Sequence, residues 1–399
     1  MWSLILSTGG TIMNTISDTA TKMETTMSNQ EPKFEKMELF QKLFPAFADR
    51  AAGHDEVGSF VQNNYDDLKA EKLFSVAIPV ELGGGGMTYS QLSHVIREMA
   101  KVCGSTALSY VMHSHPVLLN HYKHLNMNDE KAKATLTKIA ANELVIAGTG
   151  ANDWLQSNGK AVPTEGGYIV NAHKRFVSGG PGAQVFVTSA VEESETGDQV
   201  LHFSIPFATP GIEIQSNWNT MGMRGTGSND VLMKNVFVPE EAIVVKRPAG
   251  EWHPMWDLII PIAIPLIVSC YMGLAEKAVE IAISSCKGKL EKAAEIGEMK
   301  NHIRTAQMAT DAMVRNCEDL QFNPDIVKTE AIFSYKAIAT KAIHAAVNTA
   351  ANLVGGPGYF KGNEIERIMR DVRALHFHPL PELKQLQMSG RLTLDMTPF

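Results

Sequence analysis

The chain has 399 residues, is 44% apolar and carries a formal net charge of −7. This length can fill the cores of two or three domains, and no basic patch supports a nucleic-acid partner. The four cysteines are widely spaced and form no CxxC pair. This spacing argues against a disulfide framework or a zinc site and favours a reducing compartment, so we predict a cytoplasmic protein without a metal.

Two segments of the chain need to be tested as targeting or membrane segments. Residues 1–32 start with a short apolar segment that has no basic flank, and Thr, Ser and Met follow. A secretory signal needs that basic flank, so we predict a disordered tail, with a targeting peptide as the alternative. The longest apolar run, Leu258–Cys270, has 13 residues. It is too short to span a bilayer, and we predict no membrane partner.

The apolar spacing divides the remainder into three regions. Residues 33–143 show mostly helical spacing. Residues 144–248 contain short apolar runs between Gly, Pro and Asn turns, which predict a small β-barrel or sandwich, and helical spacing returns over residues 249–399. This order excludes a Rossmann enzyme, which alternates strands and helices. The predicted strands lie in VIAGTG, GYIVNAHKRFVSGG, QVFVTSAV, QVLHFSIPF, GIEIQ and VLMKNVFVP.

Three segments carry a family resemblance. Asn219–Ile243 is a glycine-rich turn followed by a predicted strand, Gly167–Gly180 ends in KRFVSGG, and residues 351–374 contain GGPGY and an Arg-Asp pair. Taken in chain order, they resemble the acyl-CoA dehydrogenase superfamily of flavoproteins, over roughly residues 35–395. The resemblance implies an N-terminal helical domain, a middle β-domain and a C-terminal four-helix bundle. It also implies FAD at their junction and a homotetramer.

The resemblance also assigns cofactor contacts to individual positions. In the family, an aromatic side chain and a hydroxyl within the segment that matches KRFVSGG contact the flavin ring, and a ring of this kind needs stacking and hydrogen bonds. The glycine pair near the C-terminus receives the ADP portion from a neighbouring subunit, because glycine lets the backbone approach closely. The positions so implied are Thr149, Phe176, Val177 and Ser178 for the ring, with Asn152 as a looser match, and Lys289, Asn352, Gly355 and Gly356 for the remainder of FAD.

The family's catalytic glutamate is missing from both of its usual positions. Those positions are occupied here by Pro379 and Ala263. His378 precedes the first of them and is our candidate catalytic residue, because a histidine can act as a base or a hydrogen-bond donor. Glu382 and Asp257 are the nearby carboxylate alternatives.

Three functions stay open at this point. The first is an FAD-dependent acyl-CoA dehydrogenase of fatty acid metabolism, which removes two hydrogens from an acyl-CoA and passes the electrons to an electron-transfer flavoprotein. The second is a two-component monooxygenase of the same fold, supplied by a flavin reductase. The third is a non-catalytic flavin-binding paralogue.

Overall fold

The computed structural model describes residues 36–149 and 155–399. Within them a helical region precedes a sheet and a second helical region, which confirms the predicted fold class. The tail expected at residues 1–32 lies outside the described residues. The helices of the first region are α1 (Met37–Val57), α2 (Gln62–Ala70), α3 (Tyr89–Val102), α4 (Gly104–Met127) and α5 (Glu130–Asn142).

Helix α3 begins at a capping box. The Thr88 hydroxyl accepts from Gln91 N at 3.3 Å, and Gln91 Oε1 accepts from Thr88 N at 3.0 Å. These two bonds satisfy backbone donors that a helix start leaves unpaired. The apolar residues recur at helical spacing and are buried, so one face of α3 belongs to the core; they are Leu92, Val95, Ile96 and Met99.

The middle region is a single sheet of eight strands in the described chain. Its order is β6-β7-β3-β2-β4-β5-β8, with β1 beside β4. Strand β3 runs antiparallel to β7, and β1 runs parallel to β4. The sheet has a core of its own, separate from the helices. The strands are β1 (Ile146–Gly148), β2 (Lys160–Thr164), β3 (Gly167–Lys174), β4 (Val185–Glu192), β5 (Gln199–Pro206), β6 (Ile212–Ile214), β7 (Val231–Pro239) and β8 (Ile243–Pro248).

The second helical region completes the core of the first. Its helices are α6 (Met255–Ser285), α7 (Ala293–Asn316), α8 (Ile326–Val354), α9 (Glu364–Val372) and α10 (Glu382–Thr393). Helices α6, α7 and α8 pack on one another, and α3 and α4, which precede the sheet in sequence, also pack on α6. The helices before and after the sheet therefore share one hydrophobic core.

Helix α6 is apolar enough and long enough to cross a membrane, but 94% of its most apolar window is buried inside the molecule. It also contains Pro261 and Pro265. Pro265 has no N–H, so it cannot donate to the Pro261 carbonyl one turn earlier. The Tyr89 hydroxyl on α3 lies 3.4 Å from that carbonyl and donates to Ile262 O at 2.9 Å. A hydroxyl of α3 therefore lies beside the carbonyl that Pro265 leaves without a donor and bonds to the next carbonyl of α6.

We expect Tyr89→Phe to lower the free energy of unfolding by about 0.5–1.5 kcal/mol, the net contribution of one buried hydrogen bond. Urea unfolding followed by circular dichroism measures this change. Tyr335→Phe is the control, because the Tyr335 hydroxyl makes no hydrogen bond within the described structure. Equal midpoints for the two variants would contradict a role of Tyr89 in stabilising α6.

Candidate active site

The pairing of β3 with β7 brings two predicted segments together. Lys174, the last residue of β3, lies opposite Val231, the first residue of β7. The turn at residues 175–180 therefore adjoins the loop at residues 217–230. Two backbone bonds join them, from Val177 N to Asn229 O at 3.2 Å and from Gly179 N to Thr226 O at 2.9 Å.

This turn presents one aromatic side chain to solvent. Phe176 has a φ of 58° and is 49% exposed, whereas Val177 is completely buried. A positive φ is uncommon for a bulky residue, so the turn is held by its surroundings. Phe176 meets Trp218 edge to face, with ring centroids 6.1 Å apart. An exposed, fixed aromatic face of this kind can contact a planar ligand.

A row of hydroxyls lies behind Phe176. Ser178 Oγ is 2.7 Å from Ser228 Oγ, which is 2.7 Å from Thr226 Oγ1. Ser178 is partly exposed, whereas Ser228 and Thr226 are buried. The row therefore connects the surface of the turn to the interior.

Thr149 directly follows β1 and is held beside β4. Strand β1 pairs with β4 so that Gly148 is opposite Val187, and Thr149 N donates to Val187 O at 3.1 Å. The Thr149 and Thr188 hydroxyls are 2.9 Å apart. Asn152, the looser sequence match, lies outside the described residues.

The 217–230 loop also contacts the second helical region. A Cβ on Gly222 would lie 2.3 Å from the Arg370 carbonyl, so only glycine allows this approach. Met223 N donates to the Asp371 carboxylate at 2.5 Å. Burial raises the pKa of Asp371 to about 6. Arg370 binds both carboxylate oxygens of Asp55, at 2.9 and 2.5 Å, which gives the Arg-Asp pair a structural role.

His378 lies seven residues after Asp371 and contacts a buried tyrosine of α6. Its Nε2 is 2.7 Å from the Tyr271 hydroxyl. Burial raises the pKa of Tyr271, so the phenol keeps its hydrogen. Because Nε2 is the hydroxyl's only partner among the described residues, the phenol donates to it and the ring hydrogen lies on Nδ1.

Lys336 of α8 fixes the backbone around His378. The buried ammonium donates to His378 O at 2.6 Å and to Leu380 O at 3.0 Å. Burial lowers the pKa of His378 to about 3, and the Lys336 charge acts in the same direction. Burial also lowers the pKa of Lys336 to about 8. At neutral pH the site therefore holds a neutral imidazole beside an ammonium.

The two alternative carboxylates are bound elsewhere. Glu382 pairs with Lys341 at 2.5 Å on the surface. Asp257 accepts from the Thr329 hydroxyl at 2.8 Å and is buried, which raises its pKa. No carboxylate in residues 36–149 or 155–399 hydrogen-bonds to His378 or Tyr271.

The histidines of the two H-x-H pairs other than His378 pack against, or hydrogen-bond to, other parts of the fold. His376 packs against the buried His344, with ring centroids 4.1 Å apart. His113 uses both ring nitrogens, bonding to Phe74 O at 2.7 Å and to Ile146 N at 3.1 Å. In the described part of the chain, no three His, Cys, Asp or Glu side chains come together as a metal site.

The remaining predicted cofactor residues meet at one end of the helical bundle. Cys286 Sγ lies 3.8 Å from Leu353 O, which brings the end of α6, next to Lys289, close to the end of α8 at Asn352. Gly355 has a φ of 74°, and a Cβ there would meet nothing within 4 Å. Tyr359, in the same turn, is 89% exposed. The structure thus groups these residues separately from Phe176 and Ser178, and their role toward a neighbouring subunit stays a prediction.

Sequence reasoning missed four residues of the site, among them Lys336, which is one of many lysines in the helical regions. Tyr271 lies within an apolar helix, where it resembles any core tyrosine. Thr226 and Ser228 belong to the GTGS turn, where small polar residues are common for conformational reasons. Only the pairing of β3 with β7 shows that these hydroxyls adjoin Ser178.

Three family models match the chain in succession. They are the acyl-CoA dehydrogenase N-terminal domain over residues 36–143, the middle domain over 148–236 and the C-terminal domain over 266–381. A putative acyl-CoA dehydrogenase of Bacillus subtilis is 27% identical over 369 residues, covering 87% of this chain and 93% of its own length.

Similarity extends to proteins with other names. The L-evernosamine nitrososynthase of a Micromonospora species is 24% identical over 85% of this chain and 84% of its own length. The solved structure of KijD3, in complex with FMN and a dTDP-linked amino sugar, superposes with a TM-score of 0.82 at 21% identity. That match covers 92% of this chain and 96% of KijD3, and it shows a common fold.

Proposed function

The chain belongs to the acyl-CoA dehydrogenase superfamily, and we propose that within it the protein is a monooxygenase that receives reduced flavin from a separate reductase. The observation that carries this proposal is the His378–Tyr271 pair. It lies beside the position of the family's catalytic carboxylate, where this chain has Pro379. An α,β-dehydrogenation requires a base that removes a proton from carbon, and neither nearby carboxylate contacts this pair.

The residues of the sheet fit a flavin ring. Phe176 offers an exposed aromatic face, and Ser178 adds a partly exposed hydroxyl beside it. At the bundle end, Lys289 and the Gly355–Gly356 backbone suit a phosphate and an adenosine, so FAD rather than FMN remains our prediction. When bound, the reduced flavin would supply two electrons to dioxygen.

His378 can then act as a neutral hydrogen-bond donor through Nδ1, held in place by Tyr271 and Lys336. Its pKa of about 3 makes it a poor base for carbon acids. Balanced over one turnover, one atom of dioxygen enters the substrate, the other leaves as water, and the flavin is oxidised by two electrons.

Two similarities support this function over dehydrogenation. By name, the Micromonospora relative forms a nitroso product from an amino sugar, and the KijD3 structure contains FMN with an amino-sugar nucleotide. We therefore propose small primary amines as the first substrate class. The Bacillus subtilis relative, by its name, supports the dehydrogenase alternative.

Anaerobic and aerobic mixing separates the two functions. We expect that the flavin-loaded protein keeps its oxidised absorbance when mixed with a panel of acyl-CoA thioesters without oxygen. With NADH, a flavin reductase and oxygen, an amine from a panel of small primary alkylamines and dTDP-amino sugars should gain one atom of ¹⁸O from ¹⁸O₂. Bleaching of the flavin by an acyl-CoA alone would overturn the proposal in favour of a dehydrogenase.

A further inference from the structure

The positive charge beside His378 has no counterion within the described structure. Lys336 is 4% exposed, and its ammonium donates to two backbone carbonyls, those of His378 at 2.6 Å and Leu380 at 3.0 Å. Two other lysines of α8, Lys328 and Lys341, each form an ion pair with a glutamate, whereas Lys336 forms none with a described residue. Lysine is rarely buried without such a partner, and its unbalanced charge leaves a positive potential around His378.

The acidic groups around this charge are engaged elsewhere. The Glu382 carboxylate acts on Lys336 from α10, but it lies on the surface and is paired with a lysine at 2.5 Å. Burial raises the pKa of Tyr271, and the charge of Asp371 on α9 acts in the same direction. Two arginines of α9 offset the charge of Asp371 in turn. The described residues around His378 therefore include a neutral phenol and one unbalanced cation.

The neighbouring His376 shows the sign of the local potential. Burial lowers its pKa, and the charges of Arg373 and Lys336 lower it further. Burial and the Lys336 charge lower the pKa of His378 in the same way, and Glu382 opposes the effect at His376 alone. Both imidazoles thus stay neutral at pH 7. A bound ammonium would meet the same repulsion and the same cost of burial.

The hydrogen on the His378 ring favours the same form of a substrate amine. Because the Tyr271 hydroxyl donates to Nε2, the ring hydrogen lies on Nδ1, and Nδ1 has no acceptor among the described residues. A free amine offers a lone pair to this N–H, whereas an ammonium has only donors. Oxygen transfer to nitrogen needs that lone pair as well.

We propose that Lys336 is a specificity-determining residue, whose buried charge admits the substrate amine as the free base and excludes the ammonium. On binding, R–NH₃⁺ gives one proton to the solvent and R–NH₂ enters the site. An alkylamine with the pKa of a lysine side chain, about 10.4, is neutral in about one molecule in 2,500 at pH 7. Weakly basic amines are therefore the preferred substrates at this pH. This inference rests on the proposed oxygenation of amines and narrows the class of amine.

The test measures the binding of small amines to the full-length, flavin-loaded protein. In the series ethylamine, 2-fluoro-, 2,2-difluoro- and 2,2,2-trifluoroethylamine, each fluorine lowers the basicity. At pH 7 we expect trifluoroethylamine to bind at least about 100-fold more tightly than ethylamine, because its free-base fraction is larger by more than that factor. Calorimetry in two buffers of different ionisation enthalpy counts protons, and we expect about one released per ethylamine and almost none per trifluoroethylamine.

The wild type also reports on Lys336 without a mutation. Burial lowers the pKa of Lys336 to about 8, so the side chain is charged at pH 7 and mostly neutral at pH 9. Ethylamine is still mostly protonated at pH 9. We therefore expect the number of protons released per bound ethylamine to decrease between pH 7 and pH 9, because the ammonium is no longer excluded.

Two substitutions separate the charge of Lys336 from its hydrogen bonds. Lys336→Gln keeps a donor for the backbone carbonyls and removes the charge, so it should reduce the preference for trifluoroethylamine at least about tenfold. Lys336→Arg keeps the charge and should retain the preference. Lys384→Gln is the matched control, because Lys384 is exposed on α10 and forms no ion pair in the described structure. Circular dichroism and flavin absorbance show whether each variant is folded and loaded.

The outcomes distinguish this inference from the proposed function. Equal Kd values for all four amines, with no proton release, would mean that the ammonium binds and that the inference is wrong. A full preference in Lys336→Gln, or a constant proton count up to pH 9, would contradict the role of Lys336. If free bases bind selectively but no amine gains ¹⁸O, the proposed function fails while this role stands. If no amine binds between pH 6 and 9, both fail.

Discussion

Replacing His378 by alanine should reduce turnover at least about 100-fold, the lower range for the loss of a positioned acid, base or donor. Flavin content should stay near the wild-type value, because His378 contacts Tyr271 and Lys336 rather than the Phe176 turn. Steady-state assays with the reductase, together with flavin absorbance of the purified variant, measure both quantities.

His376→Ala is the matched control, since His376 lies two residues away but packs against His344. Its effect on turnover should be much smaller. Tyr271→Phe should give an intermediate loss, because Nε2 loses the donor that fixes the ring. If His378→Ala were fully active while Glu382→Gln or Asp257→Asn abolished activity, a carboxylate would be the base and the dehydrogenase alternative would gain. If none of the three mattered with any substrate, the non-catalytic paralogue would be favoured.

Acid should destabilise the fold from about pH 6.5 downward, because several histidines are buried. Burial lowers the pKa of His113, His115 and His344 to about 4 and that of His378 to about 3, from 6.5 in the unfolded chain. Below pH 6.5 these histidines are therefore protonated in the unfolded state but stay neutral in the folded state, so the free energy of unfolding decreases as the pH falls. Each histidine contributes on the order of 1 kcal/mol per pH unit.

Asp371 acts in the opposite direction, because its folded pKa of about 6 lies above the usual carboxylate value. Burial also raises the pKa of Glu143, Asp257 and Asp311. These carboxylates offset part of the histidine effect, so a net loss on the order of 1 kcal/mol or more is expected between pH 6.5 and 5. Urea midpoints across this range measure it. His344→Phe should flatten the dependence, since neither ring nitrogen of His344 has a hydrogen-bond partner to lose. An unchanged slope, equal to that of the surface control His302→Gln, would contradict this explanation.

The parts of the fold that local signals specify were predictable. Helix α3 spans the whole of the predicted helical segment, because Thr88 and Gln91 mark its start and its apolar face is regular. Strands β2 and β8 were missed, since each is short, contains a proline and carries exposed charged residues. Helix α6 continues through Pro261 and Pro265, although prolines normally end a helix. The sequence did not show that the Tyr89 hydroxyl of a distant helix bonds to its backbone at this point.

The residues of the candidate site also fall into those that local sequence predicts and those that only tertiary contacts reveal. Phe176, Ser178 and His378 follow from motifs that are continuous in sequence. Tyr271 and Lys336 could not be predicted, because they contact His378 from helices 107 and 42 residues away. Thr226 and Ser228 likewise come close to Ser178 only because β3 pairs with β7. The family resemblance therefore predicts which residues form the site, whereas the hydrogen-bond partners of these residues are set by tertiary contacts.

The shared helical core has a consequence for synthesis of the chain. Helices α3 and α4 pack on α6, and Tyr89 bonds to a carbonyl 173 residues later. When the first helices leave the ribosome, the surface that covers them does not yet exist. The sheet has its own core and can close as soon as residue 248 emerges, so it is the sheet that should fold first during translation. The apolar faces of the N-terminal helices stay exposed until α6 has been synthesised, and chaperones would bind them during this interval.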